Sequence, residues 1–170
     1  MSRTLVIFDW DNTLSPSSRG IVDLERLKKN VGQCISFLDS KENVDVVIVT
    51  NSSSRGVYSV LPSIDIPVYS ARDQFGETCH YSDWKTKMCQ TVVKEKAPDH
   101  IIGIGDTDGD IHSVQQAGKI FGLPTKCIQF IPFPTQQQIE VQLGYIVKTF
   151  EKIMDMNTKV DLITMVCQEG

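Results

Sequence analysis

Three short apolar runs in this chain, Leu5–Phe8, Val44–Val49 and Ile101–Ile104, each stop at a polar cluster. The clusters are Asp9/Asp11/Thr13, Thr50/Asn51/Ser52 and Asp106/Asp108/Asp110. Runs of this length without alternation read as strands buried on both faces of a parallel sheet. Between them lie helical patterns. One runs from about Ile21 to Asp39, with Leu24, Leu27, Val31, Cys34, Ile35 and Leu38 on a single stripe. A short one covers Arg55–Leu61, another starts at an N-cap of Ser82 or Asp83 and runs to about Lys96, and a third covers about Ile111–Ala117, ended by Gly118. Val68–Ser70 reads as a brief strand and Cys127–Ile131 as a longer one. Pro134 or Thr135 then opens a helix to about Met154, and Val160–Val166 reads as an edge strand. Such β-α-β alternation predicts an α/β fold, a three-layer sandwich with a central, mainly parallel sheet between helices.

Parallel strands put all their carboxyl ends on one edge, so the three polar clusters face one crevice. Two acids one residue apart at the end of a buried strand repel each other and lose hydration, which disfavours the fold unless a cation offsets them. Lys85 stands near a helix start and can point into that crevice, whereas Lys87 lies on another side of the same helix. A carboxylate pair, a hydroxyl, a lysine and further carboxylates suit phosphoryl transfer. One carboxylate can be the nucleophile, a second the acid and base, Mg²⁺ takes carboxylate oxygens, and lysine and threonine meet the phosphoryl oxygens.

Composition narrows the classes. At 170 residues the chain suits one domain, residues 1–170, with a single core. A net charge of −4 gives no electrostatic footprint for nucleic acid. No apolar stretch approaches the ~18 residues of a membrane span. Five dispersed cysteines without a C-x-x-C pair fit thiols in a reducing compartment, and the N-terminus resembles neither a signal nor a transit peptide, so a cytoplasmic location is expected. His80, His100 and His112 show no ligand spacing.

The segment Phe-Asp-Trp-Asp-Asn-Thr-Leu, the strand ending in Thr50, Lys85, and Gly105-Asp106-x-x-x-Asp110 resemble, in order, the four motifs of the haloacid dehalogenase (HAD) superfamily. The chain is also similar to small protist proteins with Asp-Trp-Asp-Asp-Thr at the first motif, which share a Ser-Ala-Arg segment like Ser70-Ala71-Arg72 and a Trp-Lys pair like Trp84-Lys85. The superfamily resemblance implies a Rossmann-like fold and a Mg²⁺-dependent phosphatase. Asp9 would form an aspartyl-phosphate. Asp11 would protonate the leaving oxygen, then activate water, and its backbone carbonyl would meet Mg²⁺ beside the side chains of Asp9 and Asp106. Thr50 and Lys85 would hold the phosphoryl group, and Asp110 would orient Lys85 or a metal-bound water. Asn51 and Arg72 are candidate substrate contacts. The acid at position 11 favours phosphatase over dehalogenase chemistry, and Asn12 departs from the commoner Gly, Glu or Asp at its place.

Members of the superfamily that act on small metabolites carry a cap domain after the first motif or between the second and third. In this chain both gaps are used up by local structure, and neither leaves the ~40–50 residues that a separate folding unit needs. The expectation is a capless, open site, covered either by a large phosphorylated substrate, macromolecules included, or by a neighbour in a homo-oligomer. Two other classes stay open: a HAD-fold binding or scaffold protein without turnover, and a phospho-receiver domain, which the order of the motifs disfavours.

Overall fold

The structure is a computed structural model that describes residues 2–16, 23–61, 63–76, 81–155 and 162–164, the side chains of 81–83 excepted. Six strands, β1 (Thr4–Phe8), β2 (Val44–Thr50), β3 (Val68–Ser70), β4 (His100–Gly105), β5 (Thr125–Gln129) and β6 (Leu162–Thr164), form one sheet in the order β3-β2-β1-β4-β5-β6. Every neighbouring pair is parallel. Strand numbering reverses direction between β1 and β4. In an open α/β sheet that switch point is where the loops at the carboxyl ends part and leave a crevice.

Helices α1 (Leu24–Asp39), α2 (Ser54–Val60), α3 (Ala71–Phe75), α4 (Tyr81–Lys96), α5 (Asp108–Phe121) and α6 (Gln136–Met154) complete the layers. Strand side chains alternate between two cores. Val6, Phe8, Val46 and Ile48 pack with α1 and α6, while Leu5, Ile7, Val47 and Val49 pack with α4 and α5. Both faces of β1 are therefore apolar, which explains its uninterrupted run, and all five of its residues are buried. Burial of this kind, at about 25 cal/mol per Å² of apolar surface, is the main stabilising term. Among the described residues no second folding unit is inserted between these elements, so there is no cap domain.

Several boundaries differ from the sequence expectation. Helix α1 starts at Leu24 behind an Asp23 N-cap whose carboxylate accepts from Arg26 N, and Leu24 is half-exposed rather than part of the buried stripe. The expected start near Ile21 lies outside the described residues. Helix α2 is Ser54–Val60, capped by Ser53. Helix α4 is already under way at Tyr81, so neither Ser82 nor Asp83 is its N-cap. Strand β5 is Thr125–Gln129 rather than 127–131, and of the expected edge strand at 160–166 only 162–164 is described.

The largest correction is α5, which runs from Asp108 to Phe121 instead of 111–117. Thr107 and Asp110 form a reciprocal capping box that starts it early. Gly122, at φ 64°, ends it late. Gly118 sits inside the helix because a Cβ there would lie 1.9 Å from Thr125 Oγ1. Its small size serves helix–sheet contact, not termination.

Candidate active site

Asp9 is the first residue beyond β1, and its backbone N–H donates to Ile104 O at 2.8 Å, which ties the end of β1 to the end of β4. The chain then turns sharply. Thr13, Leu14 and Ser15 all donate backbone N–H groups to Trp10 O, and Asn12 takes the left-handed conformation at φ 59°. Asparagine is among the few side chains that tolerate this conformation, which accounts physically for Asn12. The turn brings Thr13 Oγ1 to Asp9 Oδ2 at 3.2 Å.

Lys85, in the first turns of α4, is buried and donates through Nζ to Asp9 Oδ1 and to Asp110 Oδ1. Lys87 is exposed. Asp110 reaches the lysine because α5 lies tight against β4: a Cβ on Gly105 would stand 2.6 Å from Asp110 Cβ. Asp106, directly after β4, is buried as well. Carboxylate oxygens of Asp9, Asp106 and Asp110 all lie within 4.8 Å of one another. Asp108 is exposed and accepts from Gln129 Nε2 at 2.9 Å, outside this group.

The electrostatics follow from burial and count. Burial lifts the Asp9 carboxyl well above the usual range; Lys85 draws it down and Asp110 adds to the rise. Asp106 is pushed up to about 6, first by burial and then by its hydrogen bond with Asp110. Burial also acts to raise Asp110, but Lys85 outweighs it and holds that carboxyl below its ordinary value. For Lys85 burial alone would lower the ammonium, and Asp9 and Asp110 reverse this to hold it above an ordinary lysine. Three carboxylates around one ammonium leave an excess of two negative charges when all are ionised. A hard divalent cation takes oxygen ligands of this kind and balances that excess, so the donor set fits Mg²⁺.

The remaining predicted residues spread along the same edge. Thr50 is fully buried at the end of β2, and its hydroxyl accepts from Ser52 N at 3.0 Å, which leaves its own proton to donate. Asn51 Oδ1 is buried with no hydrogen-bond partner, an atom that a bound group would satisfy. Asp11 is exposed, and its carboxylate stands apart from the other three; Ser52 Oγ donates to its Oδ2 at 2.5 Å. Arg72, in the first turn of α3, is exposed and makes no ion pair among the described residues. The structure thus brings Asp9, Lys85, Asp106 and Asp110 together, and places Asp11, Thr50, Asn51 and Arg72 elsewhere on the same edge of the sheet. Sequence reasoning assigned no role to Thr13 or Ser52, although each stands within a polar cluster at the end of an apolar run. A concavity of about 190 Å³ between α1 and Leu61 with residues 63–66 lies away from this edge, and the acid cluster is not part of its lining.

No protein-family model and no curated protein matches the chain. Solved structures do. A trehalose-6-phosphate phosphatase from Aspergillus fumigatus matches at a TM-score of 0.52 and 11% identity, over 86% of this chain and 93% of that one. The C-terminal domain of trehalose-6-phosphate phosphatase from C. albicans matches at 0.50 and 10%, over 86% and 92%. A UDP-GlcNAc 2-epimerase from Neisseria meningitidis matches at 0.50 and 13%, over 95% of this chain and 46% of that one. At these identities the likeness carries a Rossmann-type α/β fold and no chemistry, and the names themselves span different reactions. No helix among the described residues is long and apolar enough to cross a membrane.

Proposed function

We propose that this protein is a capless, Mg²⁺-dependent phosphomonoester hydrolase of the HAD type. The observation that carries the reading is Lys85 bridging Asp9 and Asp110, with Asp106 beside them, at the switch point of the sheet. The order of the four motifs and the fold shared with two trehalose-6-phosphate phosphatase structures support it.

In this reading an Asp9 carboxylate oxygen attacks phosphorus as the ester P–O bond breaks, and Asp11 gives its proton to the departing oxygen. In the second half Asp11 takes a proton from water, the resulting hydroxide attacks phosphorus, and the bond to Asp9 breaks to release inorganic phosphate. Lys85 offsets charge on the phosphoryl oxygens, and Thr50 donates its hydroxyl proton to them. Asp9 and Asp106, with the Asp11 backbone carbonyl, would hold Mg²⁺, and Asp110 keeps Lys85 charged and oriented. When bound, the cation supplies charge neutralisation for the incoming phosphate. Asn51 and Arg72 flank the place where the rest of the substrate would sit. With no cap over the crevice, a substrate large enough to cover it excludes water best, which favours a macromolecular phosphomonoester.

The test is release of inorganic phosphate from p-nitrophenyl phosphate with Mg²⁺ and with EDTA, together with acid-quench trapping of a phosphoenzyme. Turnover that needs Mg²⁺, and a phosphoenzyme absent from Asp9→Asn, are the expected results. A folded protein inert toward a panel of phosphorylated metabolites, peptides and oligonucleotides would leave the binding-protein reading in its place.

A further inference from the structure

Asp11, the residue read as acid and base, is held by a side chain from another strand end. Ser52 Oγ donates to Asp11 Oδ2 at 2.5 Å, and among the described residues no other side chain bonds to that carboxylate. Ser52 is itself fixed on two further sides. Its N–H donates to Thr50 Oγ1 at 3.0 Å, and its carbonyl accepts from Ser70 Oγ at 2.5 Å. Ser70 is buried and in turn accepts from Asp73 N at 3.0 Å as the N-cap of α3. Asp73 also accepts from Ser54 at the start of α2. Loops after β2 and β3 are thereby joined into one framework that ends on Asp11.

We infer that Ser52 is a positioning residue for proton transfer: by occupying Oδ2 of Asp11 it leaves Oδ1 as the oxygen that carries the proton and faces the substrate. The inference rests on the phosphatase reading above. A carboxylic acid can rotate and hold its proton on either oxygen, and an exposed one does so freely. A hydroxyl held against one oxygen stops that rotation and leaves the other oxygen as the one free to pass a proton on. Ser52 is suited to this because its backbone is held by Thr50 and Ser70, which fixes the point from which its side chain reaches Asp11. The transfer then balances simply: Asp11 Oδ1–H breaks, the proton joins the departing ester oxygen as its P–O bond breaks, and the Asp11 carboxylate is left with Ser52 still donating to Oδ2. The same arrangement fixes Thr50, so one serine couples the phosphoryl-facing hydroxyl to the proton donor.

Leaving-group dependence is the signature that a structural role would not produce. A 2,4-dinitrophenolate departs without a proton, whereas an alkoxide needs one, and kcat/KM reports the step in which the leaving group departs. Ser52→Ala is expected to lower kcat/KM for an alkyl phosphate such as glycerol phosphate about tenfold more than for 2,4-dinitrophenyl phosphate, a part of the 10²–10⁴-fold that general acid catalysis contributes. Ser52→Thr keeps the hydroxyl and is expected to restore most of the difference. Equal losses on both substrates, no loss on either, or failure of Ser52→Thr to restore the alkyl substrate would overturn the inference while leaving the hydrolase reading intact. A wild-type protein inert with Mg²⁺ toward both substrates and toward phosphorylated peptides and oligonucleotides overturns the hydrolase reading itself, and the inference with it.

Discussion

Two buried lysines, Lys85 and Lys126, show how the same side chain stands among excess charge in one place and acts as a fastening in another. They are exposed to 5% and 3% respectively. Lys126, near the start of β5, donates to the backbone carbonyls of Ile153 at 3.0 Å and Asp155 at 2.9 Å, at the C-terminal end of α6. Carbonyls at a helix C-terminus carry a partial negative charge and lack intrahelical partners, so one ammonium satisfies them. Lys85 instead faces full carboxylates in excess of its own charge. That excess is not offset within the protein, and a divalent cation would offset it. Residual charge, rather than burial, separates a site from a structural contact.

The largest effect should come from the excess side. Asp9→Asn is expected to lower kcat on the order of 10⁴-fold, while thermal melting shows an unchanged or raised midpoint, since one buried charge is gone. Wild-type turnover in that variant would overturn Asp9 as nucleophile. Lys85→Met should reduce kcat about 10²–10³-fold and destabilise the metal-free protein by about 3–5 kcal/mol, with Mg²⁺ restoring part of the stability. Lys126→Met should destabilise by about 2–4 kcal/mol in urea titrations, with kcat/KM per folded molecule within about twofold and no rescue by Mg²⁺. Rescue of the Lys126 variant by the metal would erase the distinction between the two lysines.

The smallest effect concerns pH. Asp106 is held up to about 6 in the fold against 3.8 in the unfolded chain. As pH rises through that interval the unfolded chain releases this proton first, so the group's contribution to metal-free stability is full at low pH and lost above about 6. A metal needs the ionised form. The rise in thermal midpoint on adding Mg²⁺ should therefore be a few degrees larger near pH 7 than near pH 5. An equal rise at both would place the cation away from Asp106.

What could be read from the chain divides along physical lines. Strands β1, β2 and β4 were legible because an apolar run buried on both faces has no alternative placement in a small domain. That their acidic ends share an edge follows from parallel pairing. Helix α5 was misjudged because glycine is ambiguous: Gly118 looks like a terminator locally, and its reason, contact with Thr125, is tertiary. Ser52 stands in a polar cluster of the sequence without a role of its own for the same cause, since its partner Asp11 belongs to a neighbouring strand end. The contact of Lys85 with both Asp9 and Asp110 likewise depends on how α4 and α5 lie on the sheet, which spacing does not encode.

Gly105 has a bearing on how such a centre is lost. A methyl group there would stand 2.6 Å from Asp110 Cβ, in space the aspartate occupies to reach the lysine. Alanine at that position would displace the aspartate while every charged residue stayed in the sequence. If the proposed hydrolase reading holds, one apolar substitution that a scan for intact motif acids would never register could silence the domain and leave it as a recognition module. Turnover of Gly105→Ala at the native rate would disprove that route.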